Sequence, residues 1–359
     1  MIENFDDLRK FDSASMFQVL LDFPQQIKEA IEIARNCEIY YNIDILPTKF
    51  LILGMGGSAI GGDLLRSFCK QMPGANHLQI FINRNYEIPN YIDESWYVVA
   101  SSYSGGTEET ISAYNLAKSR TKNILAITSG GKLEELARKD GYPVINIPSG
   151  FMPRCALGYS FFTLLLFLIR INATKNNISK IILNNIETTI ELLINKSKIY
   201  SENTNRNLSF SIAKQIKGKI PVIYSSENTL DVVNLRWRGQ IQENSKNLAF
   251  GGLLPEMNHN EINSWIEPSL LINHFVFILL RDKDENPQIS KRFKAIKQIF
   301  SDMGNVVIEL QSDADSLLER IFDLIYLGDW VSYWLALLNG QDPTPIPLIS
   351  KMKDILSKS

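Results

Sequence analysis

The stretch "WYVVASSYSGGTEET", Trp96–Thr110, decides the fold of this chain. A valine-rich apolar run leads into three serines, two glycines and two threonines, and the next residues, "ISAYNLAKSR", have helical spacing. This order predicts a strand, a turn and a helix, with hydroxyl groups gathered where the strand ends. A turn needs only one or two such residues, so the surplus indicates a binding site.

The same order of strand and helix recurs along the chain. Runs rich in valine and isoleucine, separated by helical patterns, lie at 50–54, 78–83, 96–101, 123–128 and 143–148. Continuous apolar strands with helices between them predict an α/β protein whose parallel sheet is covered on both faces. Less regular runs, which predict a second copy of this unit, lie at 219–226, 270–282 and 305–310.

These patterns divide the chain into five predicted segments. They are a helical N-terminal segment (1–46), a first α/β domain (47–155), a helical connector (156–216), a second α/β domain (217–338) and a tail (339–359). The tail carries three prolines near its start, so we expect it to begin as an extended segment that folds over a site or a partner.

Composition narrows the classes of function. The net charge of the 359 residues is -2, so no basic excess exists to bind a nucleic-acid backbone. Three widely spaced cysteines and three unpaired histidines argue against a disulfide framework and against a metal centre. The N-terminus is acidic and polar, and the longest apolar run, 161–171, is too short for a bilayer. We therefore expect a cytoplasmic protein that uses neither metal nor membrane.

A second turn of interest lies in "LILGMGGSAIGGD", residues 51–63. The pattern predicts a strand, a tight glycine turn that includes Gly57 and Ser58, and a helix. Glycines let backbone N–H groups approach an anion, and the start of the helix adds partial positive charge. A glycine turn without any ligand remains an alternative, because such turns are common.

The glycine turn also fits the dinucleotide fingerprint G-x-G-x-x-G/A through Gly54, Gly56 and Ala59. That fingerprint expects an acid at the end of the second strand to bind the ribose. Here the run 78–83 ends in asparagine and is followed by Arg84. An arginine suits a 2′-phosphate, so an NADP-dependent oxidoreductase stays open as a minority interpretation.

The hydroxyl turn fits S-x-S-G-x-T through Ser102, Ser104 and Thr107. Open α/β sheets bind ligands at the carboxyl ends of their strands, where this turn is predicted to lie. Three hydroxyls and the N–H groups of a helix start can surround a phosphate monoester without a lysine. The alternative is a helix cap by Ser104 or Thr107, but a cap needs a single hydroxyl.

Both turns resemble the two signature turns of the sugar-isomerase (SIS) domain, which binds phosphosugars. Farther on, "GFMPRCALGYS" (150–160) and "WRGQIQENSKNLAF…EMNHNEINSW" (237–265) resemble the bifunctional phosphoglucose/phosphomannose isomerases, a branch of the phosphoglucose isomerase superfamily. The resemblance runs from about residue 54 to residue 351. It implies two SIS domains, each a doubly wound parallel sheet in a flavodoxin-like three-layer sandwich, with the phosphosugar site in the first and helical N-terminal and connector segments.

The resemblance also implies an activity. Such enzymes convert glucose 6-phosphate and mannose 6-phosphate reversibly into fructose 6-phosphate through a cis-enediol(ate), as intramolecular oxidoreductases of carbohydrate metabolism, in glycolysis and gluconeogenesis. No cofactor is implied, and a homodimer builds the active site. The phosphosugar is expected to be bound by Gly57, Ser58, Ser102, Ser104 and Thr107.

The resemblance assigns the chemistry to residues far apart in the sequence. Glu243 matches the catalytic base, and one carboxylate can move a proton between C2 and C1. His259 matches the ring-opening acid/base, which the superfamily donates from the other subunit. Arg154 matches an arginine that faces the reacting carbons, where a fixed positive charge stabilises the enediolate. Glu256 and Glu261 flank the histidine and rank below Glu243 as bases.

Two residues of the tail complete the implied site. Lys351 matches an active-site lysine implicated in ring opening or substrate contact. Thr344 stands where glucose-only isomerases carry glutamine, and a smaller side chain leaves room for either C2 epimer. Without the resemblance, both residues would be taken for solvated tail.

The alternative to an enzyme is a regulator that keeps the SIS fold and binds a phosphosugar but has lost catalysis. It predicts intact serine and threonine turns with the base, the histidine or the arginine replaced. Glu243, His259 and Arg154 are all present, which favours the enzyme. The NADP interpretation leaves the hydroxyls of Ser102–Thr107 unexplained.

Overall fold

The computed structural model describes residues 5–37, 47–171, 176–202, 204 and 206–358. Its α-helices are α1 (Phe5–Arg9), α2 (Met16–Leu21), α3 (Phe23–Asn36), α4 (Gly56–Gln71), α5 (Glu108–Ala117), α6 (Gly131–Lys139), α7 (Leu157–Arg170), α8 (Asn176–Ser201), α9 (Leu208–Ile216), α10 (Asp231–Ser245), α11 (Pro287–Asp302), α12 (Leu317–Leu338) and α13 (Pro347–Leu356). Its strands are β1 (Lys49–Leu53), β2 (Gln79–Asn83), β3 (Trp96–Ser102), β4 (Ile124–Thr128), β5 (Val144–Asn146), β6 (Ile220–Ser226), β7 (Phe250–Leu254), β8 (Phe275–Arg281) and β9 (Val306–Gln311).

The chain forms two compact units. The first unit comprises Asp22–Glu191, and the second comprises Met1–Leu21 together with Leu192–Ser359. The five segment boundaries drawn from the sequence stay a prediction. Part of the predicted N-terminal helical segment, residues 38–46, lies outside the described residues.

The first unit is built on a parallel sheet of order β2-β1-β3-β4-β5. All seven residues of β3 are buried, as expected for a central strand of a parallel sheet. Consecutive side chains of β3 contact helices on opposite faces: Tyr97 lies 5.1 Å from the ring of Phe167 in α7, whereas Val98 packs with Tyr114 of α5. The predicted doubly wound sheet is therefore confirmed. Because β1 and β3 are neighbours, the turns that follow them meet at one edge.

The second unit repeats this arrangement with a parallel sheet of order β7-β6-β8-β9. The predicted second α/β copy is confirmed, although β7 was not anticipated, because "FGGLL" contains two glycines and lacks a strand-like composition. The glycines are required by packing, since a Cβ atom on Gly251 would lie 2.1 Å from the backbone oxygen of Ile223. Strand β8 begins only at Phe275, because Ser269–His274 forms a 3-10 helix.

The second unit is centred on α12. Among the described residues, α12 is the one helix long and apolar enough to cross a membrane, and the window that meets this test is wholly buried inside the protein. Its first turn is fixed by a capping box, in which Ser316 and Glu319 exchange side-chain to backbone hydrogen bonds. Burial on all sides explains its largely apolar sequence, which is that of a core helix.

Candidate active site

The glycine turn after β1 is shaped by close backbone approaches. A Cβ atom on Gly54 would lie 3.0 Å from the backbone oxygen of Ser101, and one on Gly57 would lie 2.7 Å from that of Pro153. Helix α4 begins in this turn, at Gly56. The hydroxyl of Ser58 accepts a hydrogen bond from the backbone N–H of Tyr103 at 3.0 Å. Ser58 therefore joins the glycine turn to the hydroxyl turn, which motif matching alone had not indicated.

The hydroxyl turn after β3 is ordered by its own side chains. The buried Ser102 hydroxyl donates to the Thr107 hydroxyl at 2.9 Å, and the exposed Ser104 hydroxyl accepts from the N–H of Gly106 at 3.3 Å. Thr107 occupies the N-cap position of α5 but makes no side-chain capping bond. The surplus hydroxyls are therefore not explained by a helix cap, which favours the binding interpretation.

A neighbouring loop braces the hydroxyl turn. Gly105 has a positive φ of 66°, and a Cβ atom there would lie 1.8 Å from the backbone oxygen of Gly130. The N–H of Leu133 donates to the oxygen of Gly105 at 2.8 Å, and the Ser129 hydroxyl donates to the oxygen of Tyr103 at 2.6 Å. The shape of the turn thus depends on contacts with the segment after β4, which no local pattern reveals.

Arg154 lies in the short 3-10 helix Pro153–Cys155 and is 4% exposed. The preceding segment is tied to the hydroxyl turn by Tyr103, whose hydroxyl donates to the oxygen of Pro148 and accepts from the N–H of Phe151, both at 2.9 Å. Burial raises the pKa of this tyrosine, so it stays a neutral bridge at physiological pH. Arg154, Gly57 and the hydroxyl turn are therefore parts of one connected region of the first unit.

Arg84, on which the NADP interpretation depends, forms an ion pair within the protein. Its guanidinium forms an ion pair with the buried carboxylate of Asp63 on α4. Arg66 pairs with the same carboxylate at 3.4 Å. An arginine that neutralises a buried aspartate is poorly placed to bind a 2′-phosphate, which weakens that interpretation.

In the second unit, Glu243 lies near the carboxyl end of α10 and is half-buried. It lines a cavity of about 420 Å³ together with Lys246 and Leu248 of the segment after α10 and with the tail residues 346–349. The tail and the predicted base thus face one cavity.

Buried polar residues of α10 bond to α12, which sets the helix rigidly against it. The Arg236 guanidinium pairs with both carboxylate oxygens of Asp329, at 3.0 and 2.7 Å, and Gln240 donates to Asp329 at 3.0 Å. Asn244 donates to the Ser332 hydroxyl at 2.9 Å. Burial raises the pKa of the Asp329 carboxyl, and the Arg236 guanidinium acts against that shift. Paired, hydrogen-bonded charges of this kind fix one register between two helices.

His259 ends the 3-10 helix Glu256–His259 and is exposed. The neighbouring Glu261 accepts a hydrogen bond from the hydroxyl of Tyr224 at 2.6 Å, and the indole of Trp265 donates to the same hydroxyl at 2.9 Å. Burial, and then the bond to Glu261, raise the pKa of Tyr224. Glu261 thus has a packing role, which is consistent with its low rank as a base.

The two predicted residues of the tail, Thr344 and Lys351, differ in their exposure to solvent. Thr344 is half-buried, and its N–H donates to a carboxylate oxygen of Asp342 at 2.9 Å. Lys351 is exposed on α13, a helix that the proline-rich start of the tail did not predict. The roles of Thr344, Lys351, Glu243, His259, Arg154 and the phosphate-binding residues stay predictions. Sequence reasoning missed Tyr103 and Lys246, which lie inside the quoted motifs but were given no role, and Asp329, which lies in none of them.

Comparisons with known proteins give consistent results. The family model described as bacterial phospho-glucose isomerase C-terminal SIS domain matches residues 205–356. The bifunctional phosphoglucose/phosphomannose isomerase of Caldicellulosiruptor bescii is 39% identical over 96% of this chain and 99% of its own. The protein of the same name from Aquifex aeolicus is 36% identical over 88% of this chain and 92% of its own.

Among solved structures, a hypothetical protein from Thermus thermophilus superimposes with a TM-score of 0.76 at 15% identity, covering 99% of this chain and 94% of its own. The C-terminal domain of glucosamine-fructose-6-phosphate aminotransferase from Francisella tularensis gives a TM-score of 0.73, also at 15% identity, over 93% and 99%. At such identities the likeness concerns the fold alone.

Proposed function

The chain belongs to the family of bifunctional phosphoglucose/phosphomannose isomerases, and we propose that it converts glucose 6-phosphate and mannose 6-phosphate reversibly into fructose 6-phosphate. It is an aldose–ketose isomerase, an intramolecular oxidoreductase that moves a carbonyl group between C1 and C2. The observation that carries the assignment of substrate class is the braced hydroxyl turn Ser102–Thr107 at the carboxyl end of β3.

In the proposed binding mode, the phosphate is held by the hydroxyls of Ser102, Ser104 and Thr107. The N–H groups at the start of α5 add donors and partial positive charge. The glycine turn supplies Gly57, whose lack of a side chain lets the backbone of Pro153 and Arg154 approach closely, while Ser58 holds the two turns together. Binding energy from the phosphate anchors the sugar so that its reacting carbons are positioned for proton transfer.

In the proposed chemical step, the Glu243 carboxylate removes the proton from C2 of the open-chain aldose. The resulting cis-enediolate is stabilised by the Arg154 guanidinium, because a fixed positive charge costs no reorganisation. Glu243 then returns the proton to C1, while the C2 hydroxyl proton is transferred to O1, so that the carbonyl group ends at C2. Lys351 and Thr344 contact the sugar, and the small threonine accommodates either C2 epimer.

We further propose a cytoplasmic homodimer in which His259 opens the sugar ring in the site of the other subunit. Its exposure on the 3-10 helix Glu256–His259 supports a role towards a partner. An imidazole can both donate and accept a proton, which suits proton exchange with the ring oxygen. The three cysteines form no disulfide, which fits a reducing compartment.

The deciding experiment supplies purified protein with fructose 6-phosphate and measures both aldose products with coupled assays. We expect glucose 6-phosphate and mannose 6-phosphate to form together. Formation of the glucose epimer alone would refute the bifunctional activity. Saturable binding of fructose 6-phosphate without any turnover would instead establish the regulator.

Donation of His259 across subunits is tested by mixing two inactive variants, Glu243→Gln and His259→Ala. Random reassociation makes about half of the dimers mixed, and each mixed dimer holds one intact site out of two. About one quarter of the wild-type activity should therefore return. If base and histidine act in one chain, no activity returns.

A further inference from the structure

We propose that Lys246 is a positioning residue that fixes the C-terminal tail, with Thr344 and Lys351, to the helix that carries Glu243. The catalytic consequence rests on the proposed function. The structural link between α10 and the tail does not depend on the proposed function, and it can be tested separately.

The link consists of hydrogen bonds from one amine to two segments. Lys246 follows the last residue of α10, and its Nζ donates to the backbone oxygen of Asn244 at 2.9 Å. The same Nζ donates to the backbone oxygen of Asp342, at the start of the tail. Asn339 adds a weaker contact from the end of α12, donating to the oxygen of Ser245 at 3.5 Å.

On the tail side, Asp342 is bound at three points. Its backbone oxygen accepts from Lys246, one carboxylate oxygen accepts from the N–H of Thr344, and the other accepts from the Ser13 hydroxyl. The prolines at 343, 345 and 347 stiffen the segment that follows, because each has a restricted φ. A displacement of Asp342 is therefore transmitted to Thr344 and onward to α13.

The backbone at Lys246 shows that the side chain, rather than the local conformation, explains the residue type. Lys246 has a φ of 52° in the left-handed region, where a residue with a Cβ atom costs about 1 kcal/mol relative to glycine. Glycine is the usual residue at the end of a helix in this conformation. A lysine here adds a long donor that can reach the tail.

The tail depends on such anchors because its helix packs little. No residue of α13, which is described in full, is buried, and Leu348 is 80% exposed. Terminal segments stay ordered only where specific contacts hold them. Lys246 also lines the cavity of about 420 Å³ that Glu243 and residues 346–349 share, so the link lies beside the proposed base.

The test uses Lys246→Gly in the full-length protein, with Lys246→Arg as the conservative variant. Glycine relaxes the left-handed backbone, so the melting temperature should stay equal or rise slightly. Lys294→Ala, an exposed lysine of α11, controls for the loss of one positive charge. Hydrogen exchange of peptides covering 341–346 reports the link directly, and kcat and KM report its consequence.

We expect amide exchange in 341–346 to accelerate at least about fivefold in Lys246→Gly, since those amides lose their fixed partner segment. We expect kcat to fall about tenfold with KM within about threefold, because tail residues lose alignment with the base. Lys246→Arg should restore both readouts in large part, and Lys294→Ala should change neither. Unchanged exchange overturns the link, and faster exchange with unchanged kcat overturns the positioning role. A wild-type protein without isomerase activity would refute the proposed function while the exchange result still stands.

Discussion

Replacing Gly105 by alanine is expected to destabilise the first unit and to weaken phosphosugar binding together. Gly105 lies inside the hydroxyl turn, with a φ of +66°. A Cβ atom there would meet the backbone oxygen of Gly130 at 1.8 Å, which is far inside van der Waals contact. Backbone atoms cannot rotate away as a side chain can, so the turn itself must move.

The magnitude follows from two contributions. A non-glycine residue in the left-handed region costs about 1 kcal/mol. Overpacking against a fixed neighbour adds about 1–3 kcal/mol, which brings the total to about 2–4 kcal/mol. For a unit of this size, the melting temperature should fall by about 5–15 °C.

Gly106 provides the matched control. It lies next in the chain, and a Cβ atom there would meet nothing within 4 Å. Its φ is outside the positive range, so alanine at this position should shift the melting temperature by no more than about 2 °C. Both variants would be compared by scanning calorimetry and by steady-state kinetics with fructose 6-phosphate.

We expect Gly105→Ala to lower kcat/KM at least about tenfold, mainly through KM, because Ser102, Ser104 and Thr107 are displaced from their proposed phosphate-binding positions. Gly106→Ala should retain near-wild-type kinetics. The reasoning fails if Gly105→Ala melts and binds like wild type, or if Gly106→Ala is equally damaged. In either case the close approach to Gly130 would not control the turn.

Further predictions concern the chemistry, the core and the thiols. Glu243→Gln should lower kcat about 10³-fold while the calorimetric Kd for fructose 6-phosphate changes less than about threefold. Ser104→Ala should do the reverse, raising KM about tenfold with kcat largely kept; similar profiles for the two variants would contradict the separation of binding from catalysis. Asp329→Leu should cost about 3–5 kcal/mol in urea unfolding, and adding Arg236→Met should regain most of it, since the unpaired buried charge is removed. Burial raises the pKa of Cys69 to about 12, so iodoacetamide at pH 8 should label it only after denaturation, as mass spectrometry of its peptide would show.

Local composition predicted most strands of both sheets because valine and isoleucine runs bounded by turn residues carry a strong signal. Strand β7 was missed for a tertiary reason, since the approach of Ile223 requires glycine at Gly251, where strand propensity would favour a branched residue. Helix α13 was missed because the prolines before it signal an extended start, while Pro347 suits the first turn of a helix.

In the candidate site, too, some features could be predicted from the sequence and others required the tertiary structure. The hydroxyl and glycine turns could be located from residue type and position after a strand. Ser129 and Gly130 could not be linked to the turn, because they meet it only once β3 and β4 lie side by side. Likewise, nothing in the motif around Glu243 shows that Arg236 and Asp329 fix its helix.

Residue type and spacing by themselves determined the α/β class, the duplicated parallel sheet and two turns suited to a phosphate group, because these follow from local periodicity and turn chemistry. Only the tertiary structure decided which glycine is indispensable, that Ser58 joins the turns and that Lys246 reaches Asp342. Those properties depend on distances between segments far apart in the chain. Such distances are set by the packing of the whole unit and leave no periodic trace in the sequence.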